Sequence, residues 1–454
     1  MLFLKDKKSR YFNFILLILV IVFLKICFFK GSKQPNIILI TIDGLRADHL
    51  SCYGYGRLTT PNVDKLAKDG VIFLQAIAPS TETAYSIPAM ITSTYSHYNG
   101  IDQWRDTLIN PSARTLSEML LNNGYYAAFF SNGYPLGLIK GIDREMKDFM
   151  VDENISAEKL TSISMDWLKL NQNRKFFLWI HYFDTHSPYS PPPPYNTLFI
   201  KDELDINDKN IPIASFDKDW AGFDIIPYSV ARNNITSVNY YISQYDGAIR
   251  FTDEQIGVLL DKLRELKLYE NTIIVITADH GENLGEHNRY FQHGGMPFDT
   301  LLHVPLIFKY ESAISKNKKI KTQVSSAGIV PTLLDMLKIK RSGDIDEKSF
   351  LGLAQDKIEN YNPYVFSKCA ASIYSIRTEK YKLIWLVNSD KYSLYDLHND
   401  KDELYDVKDI KKEEFDFLRN KLRKWFIRNR SSISPKMPPF DKDTIDKLRS
   451  LGYL

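Results

Sequence analysis

Three apolar runs, each followed at once by acidic or imidazole side chains, limit what this chain can fold into more than any other feature. They are PNIILITI (35–42), KFFLWIHYF (175–183) and NTIIVITA (271–278). Unbroken runs of β-branched and aromatic residues are what strands buried on both faces leave in a sequence. Between them lie segments of helical character. TTPNVDKLAKDG (59–70) has Thr60 placed as N-cap, Pro61 at the first helical position and Gly70 as stop. SARTLSEMLLNNG (112–124) reads as a helix leading into the strand YYAAFFS, and SAEKLTSISMDWLKLN (156–171) as a helix before the second apolar run. A long amphipathic helix over 240–269 precedes the third. This alternation predicts an α/β fold: a large, mainly parallel central sheet with helices on both faces. In such sheets chemistry collects beyond the carboxyl ends of the strands. That rule selects Asp43, the segment HYFDTHSPY (181–189) and the segment DHGENLGEH (279–287).

After about residue 345 the pattern changes to tyrosine- and charge-rich alternation, SIYSIRTEKYKLIWLV and DKYSLYDL, followed by the helical KEEFDFLRNKLRKWFIRN. Alternation of period two predicts a smaller antiparallel C-terminal subdomain. The organisation expected is a cytoplasmic tail over 1–10, a transmembrane signal anchor over 11–30, a catalytic α/β domain over 35–345, and a C-terminal subdomain with a terminal helix over 346–454. The proline run SPPPPY (190–195) reads as a stiff loop.

The anchor rests on YFNFILLILVIVFLKICFF, a stretch about long enough to span a bilayer at ~1.5 Å per residue. The bulky, basic KICFFKGSK that ends it offers no small-residue cleavage site. Lys5, Lys7, Lys8 and Arg10 before the span place the N-terminus in the cytoplasm, although Lys30 and Lys33 lie on the far side. The expected location is therefore the cell (inner) membrane, single-pass, with the catalytic domain extracytoplasmic. The 58 basic and 55 acidic residues nearly cancel, so bulk charge gives no argument for a nucleic-acid partner. Cys27, Cys52 and Cys369 lie too far apart for a CxxC centre, and a disulfide framework is not expected.

Asp43, Asp279 and His280 each follow an apolar strand, and together they offer two carboxylates and an imidazole to a divalent cation. A second cluster, APSTETAYSIPAMITSTYSHYNG (78–100), is dense in hydroxyls. Read alone, it is either a source of a nucleophile or a helix-capping cluster without chemistry.

The stretch PNIILITIDGLRADHLSCYGYGRLTTPNVDKLAKDGVIFLQAIAPS resembles the opening of the sulfatase family, within the alkaline phosphatase superfamily. NTIIVITADHGENLGEH, LLHVPLIF, EKYKLIW and SLYDLHNDKDELYDV resemble that family's later blocks in the same order. The resemblance implies metal-dependent chemistry at Asp43, Asp279 and His280. Aligning ITSTYSHYNG with the family's pattern puts Thr83 where sulfatases carry the cysteine of Cys-x-Pro-x-Arg that becomes formylglycine, Tyr85 at the proline and Ile87 at the arginine. Formylglycine is therefore excluded there. Thr83 is the expected nucleophile and fourth ligand, with Ser80, Thr81 and Ser86 as rivals; coordination to a cation lowers a hydroxyl's proton affinity toward the neutral range.

His186 is similar to the family's anion-contacting histidine. His293 stands where many sulfatases have an anion-binding lysine, or else belongs to a metal shell. His181, Asp184 and His287 are weaker candidates. Gly44 replaces a second metal-binding aspartate, His280 an asparagine, and Arg46 is a possible surrogate for the arginine lost at Ile87. The cofactor expected is a divalent metal ion (Mn, Zn, Mg or Ca), one ion rather than two. The activity expected is hydrolysis of phosphate or sulfate esters, with envelope lipids or glycans as candidate substrates. The alternatives are a phosphoethanolamine- or glycerophosphate-type transferase and a non-catalytic sulfatase-like protein.

Overall fold

The computed structural model describes residues 34–101, 108–200, 208–215, 222–359, 361–369, 372–428 and 442–450. The expected anchor over 11–30 lies outside the described residues. Among those described, no helix is long and apolar enough to cross a membrane.

The apolar runs become strands. β1 (Asn36–Ile42), β5 (Phe176–Tyr182) and β6 (Thr272–Ala278) are buried at every position. The central sheet adds β2 (Val71–Phe73), β3 (Tyr126–Ser131), β4 (Asp148–Val151), β7 (Leu306–Lys309) and β8 (Lys318–Ile320), in the order β8-β2-β7-β6-β1-β5-β3-β4. β7 runs against both its neighbours, and the remaining pairs are parallel. Because β1 is flanked in parallel by β5 and β6, the carboxyl ends of all three open on the same side. Their registers pair Ile42 with Tyr182 on one flank and with Ala278 on the other.

Helices that bear on the site or its support include α1 (Pro61–Lys68), α2 (Thr83–Thr92), α3 (Leu116–Leu121), α4 (Ala157–Asn171) and α5 (Val238–Glu265). Local sequence explains their starts. Thr115 and Glu118 form a reciprocal capping box on α3, Ser156 accepts from the Lys159 amide at the start of α4, and Ser237 from the Tyr240 amide at the start of α5. α1 ends at Lys68 with Asp69 as its cap, so the helix stops just before Gly70, as the sequence predicts. A Cβ at Gly70 would sit 2.1 Å from the Phe308 carbonyl oxygen, so this glycine exists to let β7 pass.

β9 (Val365–Cys369), β10 (Ile373–Arg377), β11 (Tyr381–Leu386) and β12 (Lys391–Asp396) form the small antiparallel meander expected after 345. α6 (Lys412–Arg428) covers it, setting Leu418 and Leu422 among Tyr374, Ile376, Leu383, Trp385 and Leu394. Two features bind this meander to the catalytic side. At one edge, Ser367 Oγ donates to the Ala78 carbonyl and the Lys368 amide to the Pro79 carbonyl, at 2.8 and 2.9 Å. At the β10–β11 turn, Asp299 pairs with Arg377 (2.8 Å) and Lys382 (2.5 Å), and Lys382 also meets Glu403 at 2.9 Å.

Candidate active site

Asp43 continues the ladder one residue beyond β1, its amide donating to the Tyr182 carbonyl. The chain then reverses through Gly44 at φ +60°, a left-handed turn that a Cβ would strain. The Gly44 amide donates to Asp279 Oδ1 at 3.3 Å, and its carbonyl accepts from the Tyr245 hydroxyl at 2.8 Å. Asp279 and His280 leave β6 in the same way. Gly281 follows because a Cβ there would lie 2.0 Å from the Thr300 carbonyl oxygen. The third arm is α2, which begins at Thr83 after an extended Glu82.

These arms converge. Thr83 Oγ1 stands 3.1 Å from Asp43 Oδ2 and 3.1 Å from His280 Nε2. His280 Nε2 is 3.6 Å from Asp279 Oδ2 and 3.9 Å from Asp43 Oδ1. All four residues are fully buried. His280 donates Nδ1–H to the Gly281 carbonyl at 2.8 Å, which leaves the Nε2 lone pair of the neutral ring facing the carboxylates. Asp43 Oδ1 and Asp279 Oδ2 have no hydrogen-bond partner. Two buried carboxylates with orphaned oxygens are costly alone and fit a divalent cation, with Asp43, Asp279, His280 and Thr83 as its donors.

The rival hydroxyls are placed elsewhere. Ser86 Oγ donates to the Asp279 carbonyl at 2.5 Å, and Ser80 and Thr81 lie against the Cys369 thiol. Thr83 alone of these four is placed within reach of both Asp43 and His280.

Electrostatics follow from burial. Desolvation and then the neighbouring Asp279 charge push the Asp43 carboxyl well above its ordinary value. Burial also raises Asp279, but His280, His181, Thr83 and the Gly44 amide outweigh it and hold this carboxyl low. His280 is raised, burial being overcome by the two carboxylates.

The predicted His186 and His293 form a second group beside the first. His293 stacks on His280 with centroids 4.4 Å apart and meets His186 edge-on at 4.9 Å. His186 donates Nδ1–H to the Ser187 carbonyl and stacks on Phe183. Burial, then His293, lowers His186 to about 3, and burial, then His280, drives His293 well down, so both rings are neutral.

Two contributors were underweighted or missed in the sequence. His181 was ranked low, yet its ring nitrogen and carboxylate oxygens of Asp43 and Asp279 lie within 4.8 Å of one another. Burial lowers it to about 4. Glu282 was passed over; its Oε2 is 3.6 Å from His293 Nδ1, has no hydrogen-bond partner, and burial raises the carboxyl to about 7. The signal for both was position: His181 pairs with Thr41 across β1 and β5, and Glu282 is three residues past Asp279.

Three candidates take other roles. Arg46 is no substitute for the missing arginine, because its guanidinium is held by Asp48, Glu286 and the Glu282 carbonyl, at 2.7, 2.7 and 3.1 Å. Asp184 accepts from the Ala157 amide at the head of α4 and from Asn132. His287 stacks on Phe298 at 3.6 Å. Ile87 is buried in the hydrophobic core, so no charge replaces the lost arginine at its position.

Comparison with known proteins agrees with this fold. The sulfatase family model matches residues 35–339, and a model of the N-sulphoglucosamine sulphohydrolase C-terminal region matches 285–431. An N-acetylglucosamine-6-O-sulfatase of Bacteroides thetaiotaomicron is 23% identical over 457 residues, covering 81% of each chain. A solved structure in complex with its substrate D-glucosamine-2-N,6-O-disulfate superposes with a TM-score of 0.73 at 19% identity, covering 87% of this chain and 98% of the other. The phosphonate monoester hydrolase of Agrobacterium radiobacter gives 0.70 at 19% identity, covering 87% and 95%. The family model spans more than half of the chain and the fold superposes on solved sulfatases, so the chain belongs to the sulfatase family, as a hydrolase acting on ester bonds.

Proposed function

We propose that the chain is a metal-dependent hydrolase of phosphate-class or sulfate esters in which Thr83, in place of formylglycine, is the nucleophile. The observation that carries this reading is the position of Thr83 Oγ1, 3.1 Å from both Asp43 and His280. A bound divalent cation would supply charge neutralisation for the carboxylates and lower the proton affinity of the hydroxyl. The chain's own residues supply the rest. Thr83 gives its proton to the Asp43 carboxylate, whose Oδ2 it already contacts, as its oxygen bonds to the phosphorus or sulfur. The ester oxygen departs and takes a proton from solvent water, while the neutral rings of His186 and His293, fixed by their contacts, hold the transferred group in orientation. Water then breaks the Thr83 ester and regenerates the hydroxyl.

Relatives in the comparison act on sulfated sugars and on phosphonate monoesters, and these set the substrate classes to assay. The apolar run at 11–30 supports a tether placing the domain outside the cytoplasm, with envelope lipids or glycans within its reach. The test is turnover of aryl phosphate monoesters, phosphodiesters, phosphonate monoesters and sulfates by the parent and by Thr83→Ala. We expect loss on the order of 10³-fold or more in kcat for the variant. In the parent, a denaturing quench during turnover should leave a phosphoryl or sulfuryl group on Thr83. Equal activity in parent and variant removes Thr83 from the reaction.

A further inference from the structure

The described residues hold a histidine at the ion site that the donor set above does not use. His181 is on β5, buried, and its Nε2 has no hydrogen-bond partner although it lies 3.6 Å from Asp43 Oδ2. Its Nδ1 is 2.8 Å from the Thr41 hydroxyl, which in turn accepts from Trp179 Nε1 at 2.9 Å. β1 and β5 set this chain of contacts through their register, Thr41 opposite His181.

The tautomer decides what His181 can do. If the Thr41 O–H donates to Nδ1, Nε2 carries a hydrogen aimed at carboxylates that it does not reach within bonding distance. If Nδ1–H donates to Thr41, the Nε2 lone pair faces the carboxylates of Asp43 and Asp279, an arrangement a cation completes. The second state has the form usual for a metal-bound imidazole, one nitrogen on the metal and the other donating to a fixed oxygen. The spacing also fits. Bonds of about 2.0–2.1 Å in a five-coordinate shell put neighbouring ligands about 2.9–3.6 Å apart. The 3.6 Å from His181 Nε2 to Asp43 and the 3.6 Å from His280 Nε2 to Asp279 bracket such a shell with little movement.

We infer that His181 is a further metal ligand, oriented by Thr41 and Trp179, and that the resulting pair of imidazoles makes the site one for a zinc-class transition ion rather than for calcium or magnesium. Calcium takes six to eight oxygen donors, whereas imidazole nitrogen favours first-row transition ions. His181 and His280 approach from different strands, and their two nitrogens replace oxygens that a calcium shell would need. This inference rests on the metal-dependent reading proposed above and specifies its ion.

The test uses the full-length chain, stripped with chelator and reloaded with Co²⁺, Zn²⁺ or Ca²⁺. In the Co²⁺ form each ligating imidazole contributes one solvent-exchangeable, hyperfine-shifted N–H proton resonance. We expect two in the parent and one in His181→Gln. Zn²⁺ affinity should fall on the order of 100-fold in His181→Gln, and about 10-fold in Thr41→Val, which keeps the ligand but loses its orienting oxygen. Ca²⁺ affinity should stay weak in all three. A single exchangeable resonance in the parent, or unchanged Zn²⁺ affinity in a His181→Gln chain that melts at the parent's temperature, overturns the inference and leaves the metal-dependent reading standing. Failure of the parent to take up any of the three ions removes that reading, and the inference with it.

Discussion

Thr83 has one hydroxyl proton and two acceptors, Asp43 Oδ2 and His280 Nε2, while Ser86, three residues on, spends its proton on the Asp279 carbonyl. The two hydroxyls therefore separate by role. Thr83→Ser keeps the attacking atom and should retain measurable turnover where Thr83→Ala loses it, read as kcat on the substrate the parent prefers. Ser86→Ala should act on stability, by about 1 kcal/mol from the lost hydrogen bond, measured by denaturant titration. Away from the site, Glu347 is a buried carboxyl that accepts from the Tyr95 hydroxyl at 2.8 Å, and burial raises it to about 7. The folded state thus binds a proton more tightly than the unfolded state. Its contribution is full below the unfolded value near 4.5 and is lost as pH rises through about 7. Thermal stability of the parent should fall across that window, by at most about 1.4 kcal/mol per pH unit, and Glu347→Gln should flatten that part of the curve.

At the scale of elements, the sequence was readable where a strand is long and buried on both faces. β1, β5 and β6 coincide with the three apolar runs, and Asp43, Asp279 and His280 follow them as expected. β2, β7 and β8 are only three or four residues long, too short to leave a period, and β7 joins the sheet antiparallel against the prevailing direction. Gly70 is visible as a helix stop, but its second reason, a carbonyl from a strand 238 positions away in the chain, leaves no local signal. His181 stands only as a weaker candidate in the sequence and Glu282 not at all, for a related cause: strand register and loop closure bring them in, and neither leaves a local pattern. Gly281→Ala tests the element argument. Its Cβ would overlap the Thr300 carbonyl at 2.0 Å, a backbone atom that cannot swing aside. We expect a loss of about 1–3 kcal/mol with displacement of His280, checked by thermal melting together with metal affinity.

At the scale of the molecule, the catalytic sheet and the C-terminal meander are joined through buried charge. Arg377 donates to Asp299 and to Gln75 and Gln323 on the catalytic side, and Lys382 bridges Asp299 and Glu403. Arg377→Met leaves Asp299 with a single cationic partner. It should cost about 3–5 kcal/mol, read from chemical denaturation.

The bonds from Ser367 and Lys368 to Ala78 and Pro79 reach the segment that leads into Thr83. Every ligand and the attacking hydroxyl are encoded before residue 300, yet the peptide that aims the hydroxyl is braced from a strand made much later. During synthesis the enzyme should stay silent until its final sheet has emerged and closed on this segment. A chain cut short after the central sheet would carry the whole inventory of reactive groups and hold none of them ready to fire.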